Sequence, residues 1–324
     1  MGASGVKKMS RISVEPAWCF MLWLLLCAPV LANMLNSAEE SVNDIEAAVI
    51  YPQVREPFAA LYRDYLAGIQ TVLPETSRDY VINGSKLDTL SQDLTAHPPE
   101  VIIALGNKSV AAAVSLNGEQ PVVGLVANRD YEASMAGGIL LRPSAEVYLE
   151  SLLAIYKDLS QVFVVYNPTV DQGLLDEAQV LAAEKGIILT AREAYSIREA
   201  AAEYRQLLLT APAYSAIWLL PDHGFLDSAL LSTILDVAWE RKLIVFSSNP
   251  LFVKHGALFA VYPDNRAVGM MVARIAVEVA MGERQPLQPL RDVRLAVNER
   301  TLNHLGLRMS ADVRSRIDLM LPGR

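Results

Sequence analysis

Cysteine is nearly missing from this chain of 324 residues: there are two, Cys19 and Cys27, both within the first 27 positions. Disulfide scaffolds, cysteine nucleophiles and cysteine metal sites are therefore excluded for everything that follows them. Histidine is almost as scarce. His97, His223, His255 and His304 are far apart and form none of the i, i+4 pairs that zinc-binding helices use. His97 precedes Pro98-Pro99 and reads as a surface loop residue, and His304 sits in a polar helical stretch. Phosphate loops, G-x-G-x-x-G turns after a strand and G-x-S-x-G elbows are absent. A Ser248, His223, Asp222 triad exists on paper only, because adjacent Asp and His side chains do not give the geometry in which one orients the other. The expectation is a protein that is not an enzyme and holds no cofactor or metal. The chain also lacks runs of like charge and biased segments, and its 52% hydrophobic content excludes disorder. A net charge of −8 excludes nucleic acid as a partner, since such binding depends on Lys and Arg neutralising phosphates.

Only the N-terminus goes long without charge. Lys7, Lys8 and Arg11 precede the apolar run Ala17 to Leu31, which closes in Val30-Leu31-Ala32. The pattern predicts a signal peptide over 1–32, cleaved after Ala32. As a membrane anchor the run is shorter than the ~20 residues a spanning helix needs, and Pro29 breaks it. Lipidation at Cys27 wants a small preceding residue, and Leu26 is large. Cleavage would remove both cysteines, three basic residues and Glu15, taking the net charge from −8 to −10. An exported chain follows, with no direct membrane insertion after cleavage.

Beyond residue 46 short aliphatic runs alternate with amphipathic stretches. The runs are Ala47 to Tyr51, Val101 to Leu105, Val122 to Val126, Val162 to Tyr166, Ala216 to Leu220 and Leu243 to Phe246. Each is apolar at successive positions, as strands covered on both faces require. Between them, Ser196 with Glu199 makes a capping box for a helix ending before Pro212, and Gly186 and Gly282 end the helices Leu174 to Lys185 and Val268 to Met281. The fold class expected is α/β, with doubly wound parallel sheets. Ala48 to Pro52 resembles Val164 to Pro168, each a strand closing in Tyr and followed by a helix, which suits two lobes in tandem. The division expected is lobe one over 33–143, lobe two over 144–264 and a helix returning to lobe one over 265–283. A linker, a strand and a terminal helix, assigned to lobe two, occupy 284–324. The first crossing is placed at Arg142-Pro143-Ser144, and the linker over Gly282 to Pro289. Repeated crossing makes a multi-strand hinge.

Several segments, taken in order over about residues 46 to 308, resemble the substrate-binding proteins of ABC transporters. The likeness is to the type I periplasmic group with tryptophan- and tyrosine-binding members. They are Val101 to Gly106, Val165 to Pro168, Val253 to Leu258, Val268-Gly269 with its following helix, and the ending Leu295 to Glu299 through Leu305 to Leu307. The resemblance implies a ligand between the lobes, held by loops at the carboxyl ends of the strands. Carried over, the lobe-one candidates are Arg55, Asn107, Lys108, Asn128, Arg129 and Tyr131. Those of lobe two are Tyr166, Asn167, Asp222, His223, Phe225, Ser248, Asn249 and Asp264. Where relatives tend to read Gly-Thr-Pro, Thr-Asp-Pro and Pro-Thr-Asp-Asn, this chain reads Gly106-Asn107-Lys108, Ala127-Asn128-Arg129 and Pro221-Asp222-His223-Gly224. Read from the residues alone, Lys108 opening a helix and the Arg129 donor fork suit a carboxylate or other anion. Tyr131, Tyr166 and Phe225 offer aromatic faces. The function expected is binding of a small solute, such as an amino acid or related carboxylate, and its delivery to the membrane permease of an ABC transporter. The altered loops leave open a sensory partner of a membrane receptor kinase, and a periplasmic hydrolase stands as the third reading.

Overall fold

A strand with no polar residue must be covered on both faces, and the aliphatic runs are so covered: Ala47 to Ile50 and Val101 to Leu105 are buried throughout. The computed structural model describes residues 45–73, 77–83, 87–116, 118–220 and 225–321. The signal-peptide reading lies outside these residues. The elements in chain order are β1 (Ala47–Pro52), α1 (Phe58–Val72), β2 (Ser77–Ile82), α2 (Leu87–Ala96), β3 (Val101–Leu105), α3 (Asn107–Ser115), β4 (Val122–Val126) and β5 (Gly137–Pro143). They continue with α4 (Ala145–Ile155), β6 (Gln161–Tyr166), α5 (Pro168–Glu184), β7 (Ile188–Glu193), α6 (Ile197–Thr210), β8 (Ala216–Leu219), α7 (Ser228–Arg241), β9 (Ile244–Ser247) and α8 (Pro250–His255). The last are β10 (Phe259–Pro263), α9 (Asn265–Ala280), β11 (Leu287–Leu290), β12 (Val293–Asn298), α10 (Glu299–His304), α11 (Ala311–Ser315) and β13 (Leu319–Leu321).

Two sheets result. The first runs β11-β5-β4-β3-β1-β2 and is parallel throughout; the second runs β13-β12-β10-β9-β8-β6-β7, with β12 antiparallel to β10. Each, with the helices packed on it, is one lobe. The chain crosses between them at Pro143-Ser144, again at Pro263-Asp264, and a third time between Leu290 and Val293. These crossings bond one another: the Ser144 N–H donates to Leu290 O at 3.3 Å and the Asp264 N–H to Asp292 O at 3.0 Å. Part of the stretch expected as a linker is therefore a strand, since Leu287–Leu290 pairs with β5 in the first sheet. Pro289 within it and Pro286 just before it hid it, and an edge position with a register shift at Pro289/Leu290 is what admits Pro289. The edge strands β2 and β7 also gave no apolar run, because Ser77–Ile82 and Ile188–Glu193 carry Arg, Asp, Thr and Glu toward solvent.

Helix α9 brings the chain back to the first sheet and lies against α1 closely enough to need glycine on both sides. A Cβ on Gly68 would stand 2.1 Å from Arg266 O, and one on Gly269 would stand 2.1 Å from Tyr65 O. Strands β4 and β5 meet in the same manner, a Cβ on Gly138 falling 2.2 Å from Gly124 O. The first core is accordingly aliphatic and small, with Ala48, Ile50, Ile102, Ala104, Val110 and Val126 at its centre. The second is built on aromatic volume. Trp218 stacks on Phe246 at 5.8 Å, Phe246 on Phe259 at 5.2 Å, and Tyr148 packs on Trp218 at 4.8 Å.

Candidate ligand-binding cleft

Parallel strands send their carboxyl ends to one edge of a sheet, and one contact fixes how those edges stand in the two lobes. Arg142, at the end of β5, donates from Nη1 to Asp171 Oδ1 of α5 at 3.0 Å and to Val170 O at 3.4 Å. Helix α5 follows the carboxyl end of β6, so the carboxyl edges of both sheets meet at this pair. The Asp171 side chain is 1% exposed and that of Arg142 16%. The second carboxylate oxygen takes the Asn167 N–H at 3.3 Å. Beside the pair lies a cavity of about 370 Å³ lined by Arg129 and Arg142 from one lobe and Val170, Leu174 and Glu177 from the other.

On the lobe-one side, Gly106 holds φ +91°, a conformation L side chains rarely adopt, and the Tyr62 hydroxyl lies 3.2 Å from where its Cβ would be. This turn starts α3 without a side-chain cap. The amides of Ser109 and Val110 return to Gly106 O, while those of Asn107 and Lys108 have no backbone acceptor among the described residues. Lys108 is exposed and forms no ion pair among the described residues, and the Ser109 hydroxyl is fully buried without a partner. Next to the turn, Tyr62 stacks on Tyr51 at 6.1 Å and meets Tyr65 edge-on at 6.0 Å. Burial raises the pKa of Tyr51 and Tyr62; for Tyr65, burial and then its neighbours Tyr62 and Asp64 push it up to about 12. All three stay neutral near pH 7. The sequence reading overlooked Tyr51 and Tyr62; the available signal was Tyr51 at the carboxyl end of the first aliphatic run.

Lobe two presents a different edge, because its helices cap themselves. Asn167 Oδ1 accepts from Thr169 N–H at 3.0 Å, Asn249 Oδ1 from Leu251 N–H at 3.0 Å, and Asp264 Oδ1 from Ala267 N–H at 3.2 Å. Asp264 Oδ2 also takes the Arg294 Nε at 2.9 Å, which places that candidate in the hinge. Partial burial opposes ionisation of Asp264, but the Arg294 hydrogen bond and amide donors outweigh it and hold its pKa below the usual carboxylate value. Tyr166 is a core residue, 6% exposed, its hydroxyl 3.3 Å from both Gln172 Oε1 and Glu193 Oε1. Phe225 is half-buried against the core beneath α6 and α7. Ser248 faces the buried Tyr148 hydroxyl, which feels its influence without reaching a formed hydrogen bond. Asp222 and His223 lie outside the described residues.

The remaining lobe-one candidates divide. Asn107 Oδ1 accepts the Ala127 N–H at 2.9 Å and its amide donates to Asn128 Oδ1, so this pair ties two loops together. Arg129 places Nη1 2.7 Å from both carboxylate oxygens of Glu132, and its fork is engaged. Tyr131 packs against the first core. Arg55 is exposed. The structure thus brings together Asn107, Lys108 and Asn128, and among the described residues neither Lys108 nor the more distant candidate Arg55 forms an ion pair.

A family model described as ABC transporter substrate binding protein matches residues 81–318. The chain belongs to the ABC transporter substrate-binding family. Its members bind small molecules and work with ABC transporters; they are substrate-binding proteins and not enzymes. A search of curated proteins gave no match. Solved structures share the type I periplasmic binding protein fold. The ligand-free, open structure of CD0873 from Clostridium difficile, a substrate binding protein with adhesive properties, is 17% identical with TM-score 0.63, covering 86% of this chain and 100% of that one. An ABC domain from Streptococcus pneumonia in complex with L-Trp is 16% identical with TM-score 0.55 over the same shares. A conserved domain protein from Vibrio cholerae is 17% identical with TM-score 0.54, again over 86% and 100%. Among the described residues of this family member, no helix is long and apolar enough to cross a membrane.

Proposed function

We propose that the protein is the exported solute-binding component of an ABC-type uptake system, taking a small carboxylate such as an amino acid between its lobes and presenting it to a membrane permease. The observation that carries this reading is the turn at Gly106-Ser109. Two amides and a buried hydroxyl that have no partner among the described residues stand, with the Lys108 ammonium, beside the Tyr51-Tyr62 stack. An anion is favoured at such a helix start, and the tyrosine faces suit an apolar or ring-bearing remainder. Because the helix amides on the lobe-two edge are capped by Asn167 and Asn249, the anionic end belongs on lobe one. The basic, apolar, small-residue pattern of 1–32 supports export.

A melting screen of the purified protein against amino acids, other carboxylates and oxyanions tests it. A true ligand at a hundred times Kd adds ~2.7 kcal/mol, a rise of several degrees. No rise with any compound, in protein shown by mass spectrometry to carry no ligand through purification, overturns the proposal.

A further inference from the structure

The end of lobe two opposite the strand carboxyl edge holds a second concavity, of about 510 Å³. Its walls come from three places that the topology gathers there. Helix α7 ends before β9 begins, α8 ends before β10 begins, and the antiparallel β12 delivers Asn298 beside the start of β10, as the pairing Phe259 with Val297 requires.

Trp239 on α7 forms a wall whose position is fixed. The His304 ring lies on it at 3.6 Å between centroids and 10° between planes, and its Nε2 is 2.8 Å from Trp239 O. A carbonyl oxygen only accepts, so Nε2 carries the proton. The Arg300 guanidinium, one helical turn from His304, stands 5.0 Å over the same indole. Lys254 and His255, at the end of α8, line the space from the other side and are exposed.

Cations in a last helical turn are usually explained by the carbonyls that end a helix. Here other groups take the carbonyls of Phe252, Val253 and Gly256. Asn298 Nδ2 donates to Val253 O at 2.8 Å, Thr301 Oγ1 donates to Gly256 O at 3.0 Å, and the amide of Ala257 returns to Phe252 O. Among the described residues Lys254, His255 and Arg300 form no ion pair, in a chain whose net charge is −8. One carboxylate, Asp236, lines the concavity with them.

We infer that this end of lobe two is a second binding site, in which Lys254, His255 and Arg300 hold a small molecule bearing carboxylate or phosphate groups against the Trp239 ring. A planar guanidinium fork and an ammonium converging on one space match oxyanions, and the indole edge suits the carbon skeleton between them. The site is separate from the inter-lobe cleft and does not depend on what the cleft binds.

Equilibrium dialysis of the full chain against radiolabelled inorganic phosphate and, in a second arm, radiolabelled citrate tests the inference. Saturable uptake of one equivalent is expected in at least one arm, phosphate marking phosphoryl recognition and citrate marking carboxylate recognition. The double variant Lys254→Gln, Arg300→Gln should weaken it tenfold or more, whereas Lys185→Gln, an exposed cation elsewhere, should not. Asp236→Asn should tighten it about fivefold, the order expected on removing one like-signed charge near a protein surface and a gain that misfolding does not produce. No saturable uptake in either arm overturns the inference. So does uptake that ignores Lys254, Arg300 and Asp236 but falls with Lys108→Gln, which would return the anion to the cleft.

Discussion

The two lobes reach similar doubly wound topologies by opposite means. Lobe one brings backbones together: Gly68 and Gly269 let two helices touch, Gly138 stands against the backbone of β4, Gly124 leaves its space to Met135, and the side chains between are mostly Ala, Val and Ile. Lobe two keeps backbones apart and fills the space with Tyr148, Trp218, Phe246 and Phe259. Helix starts follow nearly the same division, the exception being α9 of lobe one, which Asp264 caps. From α4 onward, the helices begin with a Ser, Asn or Asp whose side chain accepts an early amide, while α1 and α3 begin at Pro57 and Gly106 with no such cap. A side-chain cap is worth about 1 kcal/mol, so α3 forgoes that stability at the place proposed to receive the anion. One doubly wound fold tolerates small-residue or aromatic packing, and among the described helix starts those without a side-chain cap lie in the lobe proposed to hold the anion.

The comparison is broken most severely by removing aromatic volume. Trp218→Ala should cost ~3–5 kcal/mol in denaturant unfolding, because the stacked rings on either side cannot collapse into the space. Loss below 1 kcal/mol would mean that the column is not the core of lobe two. Next comes the contrast of edges: Lys108→Gln should weaken solute binding about 10- to 100-fold, as expected for one charged hydrogen bond, in the titration that follows a successful screen. Asn249→Ala should leave affinity within about twofold while lowering stability by ~1 kcal/mol; the reverse pattern would move the anion to lobe two.

Gly269→Ala should destabilise by ~1–3 kcal/mol although alanine is the better helix former by about 1 kcal/mol, since the atom it meets is backbone. A stabilised variant would refute the close approach. Asp264→Ala should cost ~1 kcal/mol from pH 5 to 8. The folded-state pKa is depressed, so this contribution is complete above the unfolded value of 3.8 and disappears as pH falls through the folded one. The wild-type and variant stability curves should therefore converge in acid. Smallest of all, Tyr148→Phe should change stability by less than about 0.5 kcal/mol, because the buried hydroxyl it removes has no partner. A loss above 1 kcal/mol would show that Ser248 does bond it.

Much of this was legible in the chain. Central strands reveal themselves by unbroken aliphatic runs, and the Ser196-Glu199 box sits where it was read, with Ser196 Oγ taking the Glu199 N–H at 3.2 Å and the Glu199 carboxylate taking that of Tyr195 at 2.9 Å. Edge strands escaped because half of each faces water, and β11 because proline argues against a strand. The site was less legible, and for one reason. A polar residue just past a strand is equally well placed to hold a ligand or to cap the following helix, and sequence does not separate the two. Asn167, Asn249 and Asp264 turned out to be caps, while Tyr62, on a helix face, carried no local mark of its neighbour Gly106.

The return of α9 and β11 to lobe one governs the order in which the molecule is made. A chain emerging from its N-terminus first completes strands β1 to β5 long before Gly269 or Leu287 exists. Until then the face of α1 that Gly269 covers and the open flank of β5 are bare, an invitation to mispairing. Lobe two likewise lacks β12 and β13 until the end, so neither lobe closes its sheet ahead of the other, and the last forty residues complete both. In a molecule proposed to be exported, that arrangement leaves the sheet of each lobe open until the end of the chain is present.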